Sequence, residues 1–477
     1  MASRTRVIAT GLVAALAVGC ALNNPPDTAG VKELALPGMQ TPAQWTGAHP
    51  LVGSVADNWL ASFHDDQLTA AVQEALVHNL DLRVGAARVE EAQLYAKLAG
   101  AKLYPSADLL ARGGGKLSGD GSGLQGAVLT ATWEIDLWGR VRSGRAASSA
   151  QAASAALDFE YARQSIAALV AKSWFLAIEA GLQAEAARQS IGATEELVRL
   201  ASDRVRVGAG NQSDVFVARA NVGGYQDVLR QVDLGRTQAI RALEILLGRY
   251  PSAAAVTSPQ LPSYPGEVPS GLPSELLERR PDVVAAERRV AVAFHRVGEA
   301  KAARLPVISL TTGLSAISSD LFLLQDHDNP VWSAGASLLA PLFHGGALKT
   351  QVEIRTAEQK QALAEYGIVG LRAFGEVEGA LAAEIAARDR EQILAQVLAD
   401  TQQALNVVQS QFSVGSTDLR SVEQRSVALN AARSALIRVQ TEQRVQRVNL
   451  HLALGGSFEL PPQDPATAPQ GGSVASP

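Results

Sequence analysis

Two kinds of periodicity divide this chain. Leu129, Ala131, Trp133, Ile135 and Leu137 alternate with Thr130, Thr132, Glu134 and Asp136, and Ile308, Leu310, Thr312 and Leu314 alternate with Ser309, Thr311, Gly313 and Ser315. Period two predicts strands. Less regular partners around Ser106 to Leu117 and Val331 to Ala340 complete two hairpins. Elsewhere Leu394, Leu398, Thr401, Leu405, Val408 and Phe412 recur at steps of four and three, as do Ala187, Ile191, Thr194, Val198, Ala201 and Val205. That is the a/d seam of packed helices. No proline interrupts Ser106 to Tyr250 or Leu342 to Leu460. The residues between Gly139 and Gly208, and between Gly346 and Gly415, therefore predict helices of about 100 Å at 1.5 Å per residue.

The chain is internally duplicated. DLRVGAARVEEAQLYAKLAGAKLYP (Asp81 to Pro105) aligns without gaps with DVVAAERRVAVAFHRVGEAKAARLP (Asp282 to Pro306), 201 positions on. Gly139, Gly208 and Gly248 find partners 207 positions on in Gly346, Gly415 and Gly455. The six-residue difference falls in the strand and loop region. RVRVGAGNQSDV (Arg204 to Val215) and SQFSVGSTDLRSV (Ser410 to Val422) interrupt the long helices in the same polar, glycine-marked way. They are predicted hairpin tips of paired helical rods at one end of the molecule, with the strands at the other.

Alternation over about ten residues fits a membrane β-barrel strand, apolar outward and polar toward a wet lumen. A soluble half-buried sheet shows the same alternation. Trp133, Trp138, Trp332 and Phe343 lie on or just beyond the strands, where an interfacial aromatic girdle belongs. Four strands are too few to close a barrel, and an open edge in lipid leaves backbone groups unsatisfied. Membrane-spanning strands would therefore require an oligomer.

Composition narrows the classes. Hydrophobic residues make up 47% and aromatic residues 5%, so the apolar content is mostly aliphatic and alanine, which suits close helix packing. The net charge of −5 gives no basic field for nucleic acid. Cys20, the single cysteine, rules out an internal disulfide framework and a thiolate metal cluster. MASRTRVIATGLVAALAVGC has basic residues, a short apolar run and a small residue before Cys20, which reads as a secretory signal resembling a bacterial lipobox. An acylated Cys20 would anchor the mature chain to a membrane. Nothing beyond the leader reads as a transmembrane helix.

Other motifs are assigned structural roles. GGGKLSG (Gly113 to Gly119) lacks the Ser or Thr and the following helix of a phosphate loop. Asp326-His327-Asp328 reads as a polar loop tip, and Arg280-Pro281-Asp282 as the start of a helix. No catalytic constellation, cofactor site or metal site stands out, and no enzyme is expected.

The duplicated plan of strand hairpin and long helices, with VGAGNQSDV and VGSTDLRSV at the tips, resembles TolC-like outer-membrane efflux channels. GLPSELLERRPDVVAAE, WEIDLWGR, APLFHGG and LALGGSF resemble the lipoprotein branch of the NodT or OprM type. The resemblance implies a mainly α fold with a small β part. Each chain would give four strands to a twelve-stranded barrel in the outer membrane of a Gram-negative bacterium, above a periplasmic α-barrel. It implies a homotrimer, a periplasmic adaptor and an inner-membrane pump, usually of the resistance-nodulation-division class. The implied function is passive efflux of drugs and toxic compounds. Alternatives are a structural or adaptor coiled-coil lipoprotein and the duct of a protein-secretion system.

By that resemblance, Val207 to Val215 and Val414 to Val422 form the closed gate and the adaptor-docking end. Arg206, Gly208, Ser213, Asp214, Gly415, Thr417, Asp418, Arg420, Glu423 and Gln424 are the candidate residues. Ser213-Asp214 matches the latch pattern, but Phe412 and Thr417 occupy its Tyr and Arg places. Arg420, or Arg206 of a neighbouring chain, is expected to pair Asp214 instead, and Asp214 is expected to cap its own helix. The lumen aspartates of the pattern fall on Ser421 and Gln424, so an acidic constriction would rest on Asp418 or Glu423; a merely solvated tip is an equal reading.

The expected organisation is a leader (1–19), a lipid-anchored extended segment (20–64), a first repeat (65–250), a proline-rich linker (251–273), a second repeat (274–456) and a disordered tail (457–477). The first repeat is expected to carry strands within 106–138, a long helix over 140–207 and a tip at 207–215. The second is expected to carry strands within 307–342, a long helix over 347–413 and a tip at 414–422.

Overall fold

The computed structural model describes residues 25–46, 55, 57–112, 125–255, 257–266, 268–269, 271, 273, 275–318 and 331–458. Cys20, the GGGKLSG loop, Asp326-His327-Asp328 and the tail beyond Phe458 lie outside them. The chain forms two compact units. One takes Met1–Met39, Ala86–Phe159 and Asp282–Gly370; the other takes Gln40–Gly85, Glu160–Pro281 and Leu371–Pro477. Each unit draws on both sequence repeats.

The elements in order are α1 (Thr28–Ala35), a 3-10 turn (Trp59–Phe63), α2 (Asp66–His78), α3 (Leu80–Ala101), β1 (Ser106–Arg112), β2 (Gln125–Ile135), α4 (Arg140–Arg206) and α5 (Gln212–Leu246). They continue with α6 (Leu276–Arg279), α7 (Pro281–Ala302), β3 (Val307–Ser318), β4 (Val331–Leu339), α8 (Ala347–Ser413) and α9 (Leu419–Ala453). The duplication holds to the residue in three pairs of helices. Helices α4 and α8 have 67 residues each, α5 and α9 have 35, and α3 and α7 have 22.

Glycine ends the long helices by one device. Gly208 and Gly415 both have φ of 78°. The amides of Gly208 and Ala209 donate to Val205 O and Arg204 O, and those of Gly415 and Ser416 donate to Phe412 O and Gln411 O. This is the Schellman pairing, which satisfies the last carbonyls and needs the left-handed conformation that glycine adopts without a steric penalty.

The four strands make one antiparallel sheet in the order β1-β2-β3-β4. Its register sorts the side chains by face. Leu109, Leu129, Leu314 and Trp332 form one row across all four strands. Trp133, Leu310 and Ala336, then Ile135, Ile308 and Leu338, extend the same apolar face. On the opposite face, Ser106, Thr132, Thr311 and Gly335 align, as do Glu134, Ser309 and Ser337. Leu110, Val128, Val307 and Leu339 interrupt that polar face. Trp133 Nε1 donates to Leu103 O at 2.9 Å, and Trp138 Nε1 to Pro306 O at 2.7 Å, tying the end of the sheet to the adjoining helices. Strands β1 and β4 each have one edge unpaired among the described residues.

In the second unit the core gathers Phe63, Leu68, Val72, Ala171, Phe175 and Leu243, with Phe63 and Phe175 ring centroids 5.1 Å apart. Asp65 serves two elements: Oδ1 caps α2 at Leu68 N, and Oδ2 accepts from Trp174 Nε1. One window of α4 is apolar enough by composition for a membrane span, but 44% of it is buried in helix packing. Pro281 opens α7 with Asp282 in its first turn, as the motif predicts. Arg280, beside them, is buried; its guanidinium donates to Glu376 and to the Ala453 carbonyl.

The segment 20–64 is not simply extended, contrary to expectation. Asp27 accepts from Gly30 N and starts α1, and Val31 is buried. A local cap and one apolar anchor suffice to fold eight residues that carry little periodicity.

Candidate functional site: the helix-hairpin tips

The tips are built by packing first. Leu197, Ala201, Val215, Ala218, Leu405 and Phe412 bury together with Leu419, Val422 and Leu429, so all four long helices meet beneath the two turns. The predicted seams supply Ala201, Leu405 and Phe412, with Val198, Val205, Leu398 and Val408 at the border. Arg204 lies over the Phe412 ring at 4.7 Å, a cation–π contact. Phe412 thus fills the place where the latch pattern has a tyrosine, with its face on a guanidinium instead of a hydroxyl in a hydrogen bond.

Above this core the turns enclose an open pocket of about 460 Å3, lined by Arg204, Asn211, Asp214, Phe412, Thr417 and Asp418 among others. Asp214, Gly415, Thr417 and Asp418 are therefore brought together. Arg206, Gly208, Arg420 and Gln424 are exposed around them.

Two expectations are corrected here. Asp214 does not cap α5; Asn211 does, accepting from Ser213 N at 2.9 Å, while Asp214 sits in the first turn. An Asx side chain one residue before the helix has the geometry to cap it, and one inside the first turn does not. Asp214 has no ion-pair partner among the described residues. Within the chain, Arg206 pairs Asp203 at 2.8 Å, its i,i+3 neighbour on α4. Arg420 is exposed and lends its charge to Asp418 and Glu423 rather than pairing Asp214.

The two candidate acids differ. Asp418 caps α9, accepting from Ser421 N at 2.9 Å and Ser421 Oγ at 2.6 Å, and these bonds hold its carboxyl below the ordinary value. Glu423 is buried, with Oε1 unpartnered. Burial pushes its pKa up, and the Asp214 charge adds to this against an Asn221 hydrogen bond and the Arg420 charge. Asp418, with its pKa lowered, and Glu423, with its pKa raised, thus stand five residues apart.

Sequence reasoning missed Asn211, Gly210, Arg204 and Asn221. In NQSD, Asn211, Ser213 and Asp214 all carry cap-competent side chains, and only the helix start selects among them. A Cβ at Gly210 would lie 2.8 Å from Val205 N, so the first tip closes too tightly for a side chain.

Residues 71–249 and 272–456 match the family described as Outer membrane efflux protein, one match for each repeat. The chain belongs to that family. The cation efflux system protein CusC of Escherichia coli O6:H1 is 29% identical over 441 residues, covering 89% of this chain and 94% of that protein. The pyoverdine export outer membrane protein OpmQ of Pseudomonas aeruginosa is 30% identical over 448 residues, covering 88% and 92%. Among solved structures, the outer-membrane channel OprN superposes with a TM-score of 0.79 at 26% identity, over 88% of this chain and 99% of that one. As an outer membrane efflux protein, this chain is a channel of the outer membrane, with duplicated helices and strands of the TolC type.

Proposed function

We propose that three copies of this chain assemble one conduit, closed at the helix tips and opened when a periplasmic adaptor docks there. The observation that carries the reading is the sheet: one face apolar, the other largely polar, and both outer edges unpaired among the described residues. Four strands cannot enclose a lumen, and unpaired edges are untenable in lipid. Twelve strands from three chains, β4 of one beside β1 of the next, remove every edge. Trp332 and Phe343, 75% and 87% exposed in the protomer, then face the membrane interface with Trp133 and Trp138. Acylation of Cys20 would add an anchor.

The tips are the docking end because their turns expose helix termini, pocket and charges together. Cargo passes without chemistry along the lumen. The relatives' names speak of cations in one case and pyoverdine in the other, which fits a channel whose cargo is chosen upstream, by an inner-membrane pump of the proton-driven class. The test is conductance. Purified trimer in a planar lipid bilayer should show small, infrequent steps that grow when the tip core is loosened by Phe412→Ala. A protein that inserts no conducting steps in either form would refute the conduit.

A further inference from the structure

Where α3 ends and α4 begins, a pocket of about 190 Å3 is lined by Lys102, Arg140, Arg145, Arg296 and Glu299. Four cations thus face one carboxylate. Glu134 holds Arg140 through two hydrogen bonds, at 3.1 and 2.5 Å, and Glu299 holds Arg296 at 2.9 Å. Lys102 and Arg145 have no ion-pair partner among the described residues. Gly144 shapes the wall: a Cβ there would lie 3.0 Å from Glu299 Oε1, so the absence of a side chain lets Glu299 rest against α4. The acids are committed to Arg140 and Arg296, and two positive charges are left over.

The pocket is also placed at a definite level. Lys102 directly precedes Leu103, whose carbonyl takes the Trp133 indole N–H. Arg140 follows Trp138, whose indole binds Pro306 O, by two residues. Indoles mark the boundary between hydrocarbon and headgroups, and cations just beyond them lie at the phosphates.

We propose that this pocket binds a phosphate-bearing anion at the periplasmic face of the outer membrane, through Lys102 and Arg145. The chemistry is shared by a phospholipid headgroup and free inorganic phosphate. The inference rests on the assignment of the sheet to the membrane.

The test is native mass spectrometry of detergent-extracted trimer titrated with phosphatidylglycerol, in wild type, in Lys102→Gln/Arg145→Gln, and in the exposed-site control Arg241→Gln. Binding of inorganic phosphate to lipid-free trimer is measured alongside. Both target side chains are exposed, and retained trimer in the variant shows that folding is intact. Wild type and control should bind alike, with the double variant about tenfold weaker. If phosphatidylglycerol alone shows this difference, the lipid headgroup is the ligand; if millimolar phosphate shows it, the free anion is. Equal binding of both ligands by wild type and double variant overturns the proposal. Failure of the membrane assignment would appear separately, as absence of the wild-type protein from the outer-membrane fraction.

Discussion

Asn211 and Asp418 start the returning helices by the same chemistry from different side chains. Replacing either with Ala should cost about 1 kcal/mol of local stability, read as faster amide hydrogen exchange in the first turn of α5 or α9 only. Removing the Asp214 carboxylate should leave that exchange unchanged, because Asp214 caps nothing. Glu423 titrates in the opposite sense to Asp418. Its pKa is raised in the folded protein by burial, so its share of tip stability is full below the ordinary carboxyl value near 4.5 and is lost as pH rises through the raised value. Protection of the tip amides, with the intrinsic exchange rate divided out, should therefore rise on acidification, and Glu423→Gln should remove that rise. A pH response unchanged in Glu423→Gln would place the titrating group elsewhere.

The helices and their tips are one packing problem. Leu405 is nearly buried where the α8 seam meets Val215 and Val422. Leu405→Ala should cost about 2 to 4 kcal/mol through lost burial and the cavity left behind, with the loss concentrated in proteolytic opening of the two tips. Element boundaries were legible because repeats constrain one another. Glycines 207 positions apart mark the ends of α4 and α8, and the structure ends those helices within a residue of expectation. Charge networks were not legible. Arg447 and Glu384 sit on helices as any solvated pair might, yet both are buried, with Tyr264 Oη 2.8 Å from Arg447 and 2.7 Å from Glu384. Arg444 donates to the Pro262 carbonyl, so buried arginines hold the proline-rich linker against α9. Helical periodicity marks which face is apolar, but not which arginine on it will find a carbonyl. Arg206 shows the same at the tip: within the chain it pairs Asp203, three residues before it on the same helix.

At the scale of the molecule, the protomer is unfinished. Seam residues such as Ala201, Leu405 and Phe412 are buried within the chain, whereas Leu109, Trp332 and Leu338 on the apolar face of the sheet stay largely exposed and both sheet edges stay open among the described residues. Burying those residues in lipid and pairing those edges with other copies are coupled, since neither alone satisfies both the side chains and the backbone. The mass of the detergent-solubilised outer-membrane particle tests this most directly. A particle of three chains, dissociating only when heated, is the predicted result. A single chain of about 50 kDa that keeps its four strands folded in solution would contradict it.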